Sequence, residues 1–209
     1  MKIEKNVKEL LDELGSKARI VAASKYADAS QIKILYNSGI TCMGENRVEA
    51  LLEKKHQLTF PIEWHFIGTL QTRKVKQVIN EITCLHSLDR LSLAAAIEKH
   101  RQKPLDCLVQ VNVSGESTKQ GIQPEELLPF LKSVEGYEKV NIIGLMTMAP
   151  HTDEAAVIRK TFAGLRVLRD QAAALGYPLR ELSMGMSNDY QIAIEEGATM
   201  VRLGSVLFD

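Results

Sequence analysis

Aromatic residues supply only 5% of this 209-residue chain, with a single tryptophan. So small a stock argues against stacking platforms for nucleobases and against a broad sugar-binding cleft. An excess of one charge is missing too. Lys+Arg and Asp+Glu number 26 each, so no basic field draws in nucleic acid or an anionic membrane surface. Cysteine is scarce: Cys42, Cys84 and Cys107 are odd in number, widely separated and without CxxC spacing. That argues against a disulfide framework or a zinc site and fits a reducing cytoplasm. No run of about 18 apolar residues occurs, so no bilayer-spanning helix is expected. The first residues, MKIEKNVKELLDELG, carry charges through a helical pattern and lack a signal-peptide core. What remains is an ordinary globular balance, 45% hydrophobic and 25% charged, expected to form one cytoplasmic, monomeric domain over residues 1–209.

A repeating rhythm follows the first amphipathic segment, in which Ile3, Val7, Leu10, Leu11 and Leu14 share a helical face that ends at Gly15. Short apolar runs begin at ARIVAASK (18–25) and continue through TCMGEN (41–46), EWHFIG (63–68), TCLHSLD (83–89) and LDCLVQVNV (105–113). NIIGLMTM (141–148), ELSMGM (181–186) and MVRLGSVLF (200–208) complete the set. Helical patterns follow each of the first seven, the first of them DASQIKILYNSG (28–39), with Asp28 or Ser30 as cap and Gly39 as stop. In PEELLPFLKSVEGY, Pro124 suits a first turn, while Pro129 is expected to kink the helix. Strands alternating with helices run parallel, because each return crossover needs the helix. Eight such units predict a single α/β domain, a (β/α)8 TIM-type barrel with an additional N-terminal helix. An open doubly wound sheet is the alternative, but its first βα turn would need phosphate-binding glycines that SKYAD lacks.

In such a barrel the reactive groups stand at the C-terminal ends of the strands. Lys25 is the unusual one, because it terminates an otherwise apolar strand. A lysine partly desolvated there would favour its neutral amine, which attacks aldehydes; a lysine merely reaching for water is the plainer reading. Phosphate sites in this fold favour the loops after strands 7 and 8. Strand 7 ends in Met186-Ser187-Asn188 and opens into a helix, and strand 8 ends in Arg202-Leu203-Gly204-Ser205. Ser187 and Ser205 offer hydroxyls, and Gly204 permits close approach of backbone to a ligand. Barrel closure would make these neighbours of Lys25.

The segments SK (24–25), GENRVE (44–49), WHFIGTLQ (64–71), HSLD (86–89) and QVNVSGESTKQGI (110–122) belong together with GLMTM (144–148) and LSMGMSNDYQIAIEEGATMVRLGS (182–205). Together they resemble the YggS/PROSC family of pyridoxal phosphate homeostasis proteins over essentially the whole chain. That family's fold is similar to the barrel domain of alanine racemase. The resemblance implies pyridoxal 5'-phosphate as cofactor, held as a Schiff base on Lys25, with Ser187, Gly204 and Ser205 at its phosphate and Arg202 facing its pyridine nitrogen. An arginine there weakens the ring as an electron sink. By the same resemblance Asn46, His65, Met146 and Met148 line the pocket, although the two methionines also suit a core. Lys119 matches a loop lysine associated with cofactor exchange. Apo-enzymes that depend on the cofactor are the implied partners.

The sequence also departs from the family pattern. After Lys25 it reads Tyr26-Ala27-Asp28 where the family carries a second lysine, and Leu70-Gln71-Thr72-Arg73-Lys74 replaces the usual LQxNK. The chain closes on Phe208-Asp209 with no eighth helix expected, a gap the N-terminal helix would cover. Three functions compete: a cofactor carrier without vigorous catalysis, an amino-acid racemase, and a binding module without cofactor. A racemase needs a base on each face of the substrate carbon. Tyr26 and Tyr190 are the local candidates for the second base.

Overall fold

In the computed structural model, which describes residues 2–116 and 119–209, eight parallel strands close into a barrel in the order β1 to β8, with β8 returning to pair with β1. The strands are β1 (Arg19–Ala23), β2 (Cys42–Glu45), β3 (Glu63–Phe66), β4 (Cys84–Leu88), β5 (Leu105–Gln110), β6 (Val140–Met146), β7 (Glu181–Met186) and β8 (Met200–Leu203). The helices are α1 (Lys2–Leu14), α2 (Ala29–Asn37), α3 (Val48–Gln57), α4 (Val75–Val78), α5 (Leu91–His100), α6 (Leu127–Val134), α7 (Ala155–Ala174), α8 (Tyr190–Glu195) and α9 (Ser205–Phe208). The expected (β/α)8 barrel with a leading helix is the fold observed. Among the described residues, no helix is long and apolar enough to cross a membrane.

Local chemistry sets several boundaries. Asp28 caps α2: its carboxylate accepts from the Gln31 amide, and the Gln31 side chain answers the Asp28 N–H, a reciprocal box. Pro129 stands near the start of its helix. Because α6 begins at Leu127, the proline falls in the first turn, where the N–H it lacks would have had no intrahelical partner. Strand 8 is shorter than expected. It stops at Leu203, and the one-turn helix α9 follows, burying Leu207 outside the barrel; an apolar run as short as VLF is consistent with either state until its neighbours choose.

The N-terminal helix lies against α2 and α9 and so covers the gap in the outer ring. Val7, Leu10 and Leu14 are buried along its inner face. Asn6 donates to the Leu207 carbonyl at 3.3 Å, and Glu13 accepts from Tyr190 Oη and Gln191 Nε2, both at 2.9 Å. One large core fills the space between strands and helices. A smaller cluster of Val21, Cys42, Cys84, Leu108, Met146 and Met200 fills the barrel interior. That packed interior leaves the C-terminal mouth as the place for a ligand.

Candidate functional site

A cleft of about 750 Å3 opens at the C-terminal mouth, walled by the ends of β1, β7 and β8 and by the loop after β6. Its volume falls within the roughly 300–1,000 Å3 usual for small-molecule sites. Lys25, Ser187, Arg202, Gly204 and Ser205 all line it. They are far apart in sequence and meet because β1 pairs with β8 in a register that sets Val21 against Arg202 and Ala22 against Leu203.

The lysine reaches the cleft from a turn rather than from the strand. β1 ends at Ala23; Ser24 is buried, and Lys25 and Tyr26 lie exposed in the turn that follows. Desolvation of Lys25 is therefore not found. Its Nζ instead sits 4.8 Å from the centre of the Tyr26 ring. The turn itself is firmly held. Lys54 Nζ donates to the Ser24 carbonyl and to Glu45 Oε1, both at 2.5 Å, and Ser24 Oγ donates to the same carboxylate at 3.1 Å.

Opposite the lysine, one oxygen gathers two amides. The N–H groups of Gly204 and Val206 point at Ser187 Oγ, at 3.0 and 3.4 Å. Converging backbone donors of this kind suit an anionic oxygen. A Cβ added at Gly204 would lie 3.6 Å from that of Ala23 and occupy the cleft wall, so glycine keeps the space open. Ser187 is aimed by a bulge in β7. The ladder to β8 shifts register between Ser183 and Met186, and Gly185 within it has φ +92°, where a side chain would be strained.

Arg202 forms the floor. Only 5% exposed, it donates through Nη1 to Ser183 Oγ at 2.5 Å and through Nη2 to the Thr147 carbonyl at 2.9 Å. Burial lowers its pKa to about 10, with the Asp189 carboxylate opposing, so it remains a cation near neutrality. Asp189 is the wall residue that sequence reasoning missed. The NDYQ pattern marks it as the start of α8, yet its side chain makes no cap bond and accepts from the Met186 N–H at 2.5 Å. Burial raises its pKa, while the Met186 bond and Arg202 pull the other way. A short acid beside a strand-end serine was the available signal. The loop from Ala149 to Asp153, which forms another wall, carried no signal beyond its polarity.

Other candidates lie elsewhere. Asn46 is exposed in the turn after β2, and neither it nor His65, Met146 or Met148 lines the cleft. Met146 belongs to the barrel-interior cluster and Met148 packs against it. His65 is 2% exposed and borders a separate small cavity of about 150 Å3 whose walls include Arg19, Glu63 and Met200, residues at the opposite end of the strands. Lys119 pairs with Glu116 at 2.5 Å and donates to the Met148 carbonyl at 3.3 Å. Tyr190 is turned outward to Glu13 and is absent from the cleft wall, whereas Tyr26 is part of it. His65, Cys84 and His86 place ligand atoms within 4.8 Å of one another. The two rings, however, are bonded together, His65 Nδ1 to His86 Nε2 at 2.8 Å, and burial pushes the Cys84 thiol well up, away from the thiolate a metal needs.

The amine, the converging amides and the buried cation together fit a small ligand that bears both an aldehyde and a phosphate. The family described as alanine racemase, N-terminal domain, matches residues 1–209. The pyridoxal phosphate homeostasis protein of Aquifex aeolicus is 43% identical over 196 residues, 91% of this chain and 86% of that one. The structure of PipY from Synechococcus elongatus with pyridoxal phosphate bound superposes with a TM-score of 0.91 at 30% identity, covering 99% of this chain and all of that one. Alanine racemase of Clostridium difficile shares the fold, with a TM-score of 0.85 at 18% identity, covering 99% of this chain and 56% of its own.

Proposed function

The chain belongs to the YggS/PROSC group of pyridoxal phosphate homeostasis proteins within the alanine racemase N-terminal domain family, and we propose that residues 1–209 act as one unit that binds pyridoxal 5'-phosphate and carries it without vigorous catalysis of its own. The observation that carries this reading is the convergence of Lys25, Arg202 and the Ser187-directed amides on one cleft. When bound, the cofactor supplies an aldehyde that condenses with a lysine amine and an aromatic ring that withdraws electrons.

Each residue then has a task. Lys25 holds the cofactor covalently at the cleft edge. The Ser187 hydroxyl, the Gly204 and Val206 N–H groups and the Ser205 hydroxyl hold the phosphate by charge-assisted hydrogen bonds. Arg202, cationic and pinned from behind, faces the ring nitrogen and keeps it unprotonated, which weakens the electron withdrawal that transamination and racemisation need. The loaded protein passes its cofactor to apo-enzymes.

The racemase reading now rests on Tyr26 alone, since Tyr190 is committed to Glu13. Tyr26 is 87% exposed on a turn, a poor setting for a base that must hold one position. The test is spectroscopic first. Purified protein given pyridoxal phosphate should absorb near the visible–ultraviolet boundary, and Lys25→Ala should abolish that band. An undiminished, borohydride-reducible band in the variant would move the link to another lysine. Incubation of the loaded protein with single enantiomers of alanine or serine should leave optical purity nearly unchanged. Turnover on the order of 1 per second or faster would replace the carrier reading with the racemase.

A further inference from the structure

Behind the cleft, four side chains from four different strands form a continuous buried line. Arg202 of β8 donates to Ser183 Oγ of β7 at 2.5 Å; Ser183 Oγ meets His86 Nδ1 of β4 at 2.8 Å; His86 Nε2 meets His65 Nδ1 of β3 at 2.8 Å. His65 then borders the small cavity at the N-terminal end of the barrel. Ser183 and His86 are fully buried, so no member in the middle of the line can exchange its partner for bulk water.

The direction of every bond in the line follows from one fact. A guanidinium can only donate. Ser183 Oγ therefore accepts from Arg202, and its own hydroxyl proton needs an acceptor; among the described residues His86 Nδ1 is the one in reach. A neutral imidazole with a bare Nδ1 carries its proton on Nε2. His86 Nε2–H accordingly donates to His65 Nδ1, and His65 in turn carries its proton on Nε2, toward the small cavity. The reverse direction would set His86 Nδ1–H against a hydroxyl whose proton has no partner, a buried loss of about 1–3 kcal/mol. Both rings must also be neutral, and burial holds them so: His65 is lowered to about 4 and His86 well below its ordinary value.

We propose that Ser183, His86 and His65 are positioning residues, a one-way hydrogen-bond line that fixes the orientation of Arg202 and, through it, the electronic state of the ligand ring held above it. With Nη1 bound to Ser183 and Nη2 to the Thr147 carbonyl, the guanidinium is left one edge to offer the cleft. The last clause of the proposal rests on the carrier reading, because it assigns Arg202 to the cofactor's ring nitrogen. The line itself does not.

The decisive measurement uses the whole ligand-free protein with its histidines labelled with 15N, assigned by comparing wild type with His65→Gln and His86→Gln. Near neutral pH both buried rings should show a proton on Nε2 and a bare Nδ1. A proton on Nδ1 of His86 would overturn the line, whatever the fate of the cofactor. The second arm is Ser183→Ala against Ser183→Thr, each loaded with pyridoxal phosphate. Ser183→Ala should lose the single His86 tautomer, shift the cofactor's absorption band and weaken binding about tenfold, the effect of roughly 1.4 kcal/mol; Ser183→Thr should restore all three. A merely structural role for Ser183 would lower the unfolding midpoint while leaving tautomer and band unmoved, and that result refutes the proposal. If wild-type protein binds no pyridoxal phosphate, the carrier reading fails, and the ligand-free spectrum still decides the line.

Discussion

Replacing Lys54 by methionine should be among the most damaging single changes available near the cleft, although Lys54 stands on α3 and touches no ligand. Its ammonium lies 2.5 Å from Glu45 Oε1; the Glu45 side chain is wholly buried, and that of Lys54 is only 13% exposed. Glu45 also accepts from Ser24 Oγ and from the Asn46 N–H, both at 3.1 Å. Lys54→Met leaves those two neutral donors facing an unpaired buried carboxylate. Breaking such a pair from one side costs about 3–5 kcal/mol, a large part of the roughly 5–15 kcal/mol that holds a domain together. The second change, Glu45→Gln on top of Lys54→Met, removes the orphaned charge and should return most of that loss. Equilibrium unfolding in guanidinium chloride reads the difference from the midpoints, provided the slope is unchanged. Because Lys54 also holds the Ser24 carbonyl at 2.5 Å, the single variant should bind pyridoxal phosphate less tightly than wild type even where it is folded. A cost below about 1 kcal/mol for Lys54→Met, or a double variant no more stable than the single, would refute the reasoning.

Three further outcomes follow from the same structure. Ser187→Ala should weaken pyridoxal phosphate by about 10- to 100-fold, the loss of one hydrogen bond to a charged group, and leave pyridoxal unchanged in equilibrium dialysis; equal losses for both would contradict a phosphate site there. Gly185→Ala places a Cβ 2.6 Å from that of Ala193 at φ +92°, so strain and overpacking together should cost about 2–4 kcal/mol in thermal or denaturant unfolding. His65 is neutral in the native state down to about pH 4 through burial, with Arg19 adding to the effect and Glu63 opposing it. Above the ordinary value of 6.5 neither state is protonated; as pH falls below it the unfolded chain takes up the proton first, so His65 should lower stability by roughly 1.4 kcal/mol per pH unit until about pH 4, and His86, held well below its ordinary value by burial, adds a loss of the same sign. Asp189, raised by burial, works against this in part. Unfolding midpoints at pH 7 and pH 5 test the sign, and the slope should become shallower in His65→Phe, with the His86 part remaining.

Much of the architecture was legible in the chain because its causes are local. Apolar runs broken by amphipathic segments demand strands covered by helices, Asp28 can be read as a cap from its own neighbours, and eight units suffice for closure. Lys25 could be singled out because a lysine is out of place after an apolar strand, and Ser187, Gly204 and Ser205 because they follow strands 7 and 8, whereas the role of Arg202 came from the resemblance. The resemblance to a known family added Asn46, His65, Met146 and Met148, and there only the tertiary structure could sort the positions. Which way a strand residue points depends on register, and register depends on how the closed barrel staggers its neighbours. The bulges in β4, β6 and β7 pairing and the stop of β1 at Ala23 are products of that closure, invisible in any one segment. So the structure turns Met146 into the interior and sends His65 toward the far end of the barrel. It also joins His65, His86, Ser183 and Arg202, residues scattered over 138 positions, into one line, because hydrogen bonds between side chains require contact in space and carry no periodic signal along the chain.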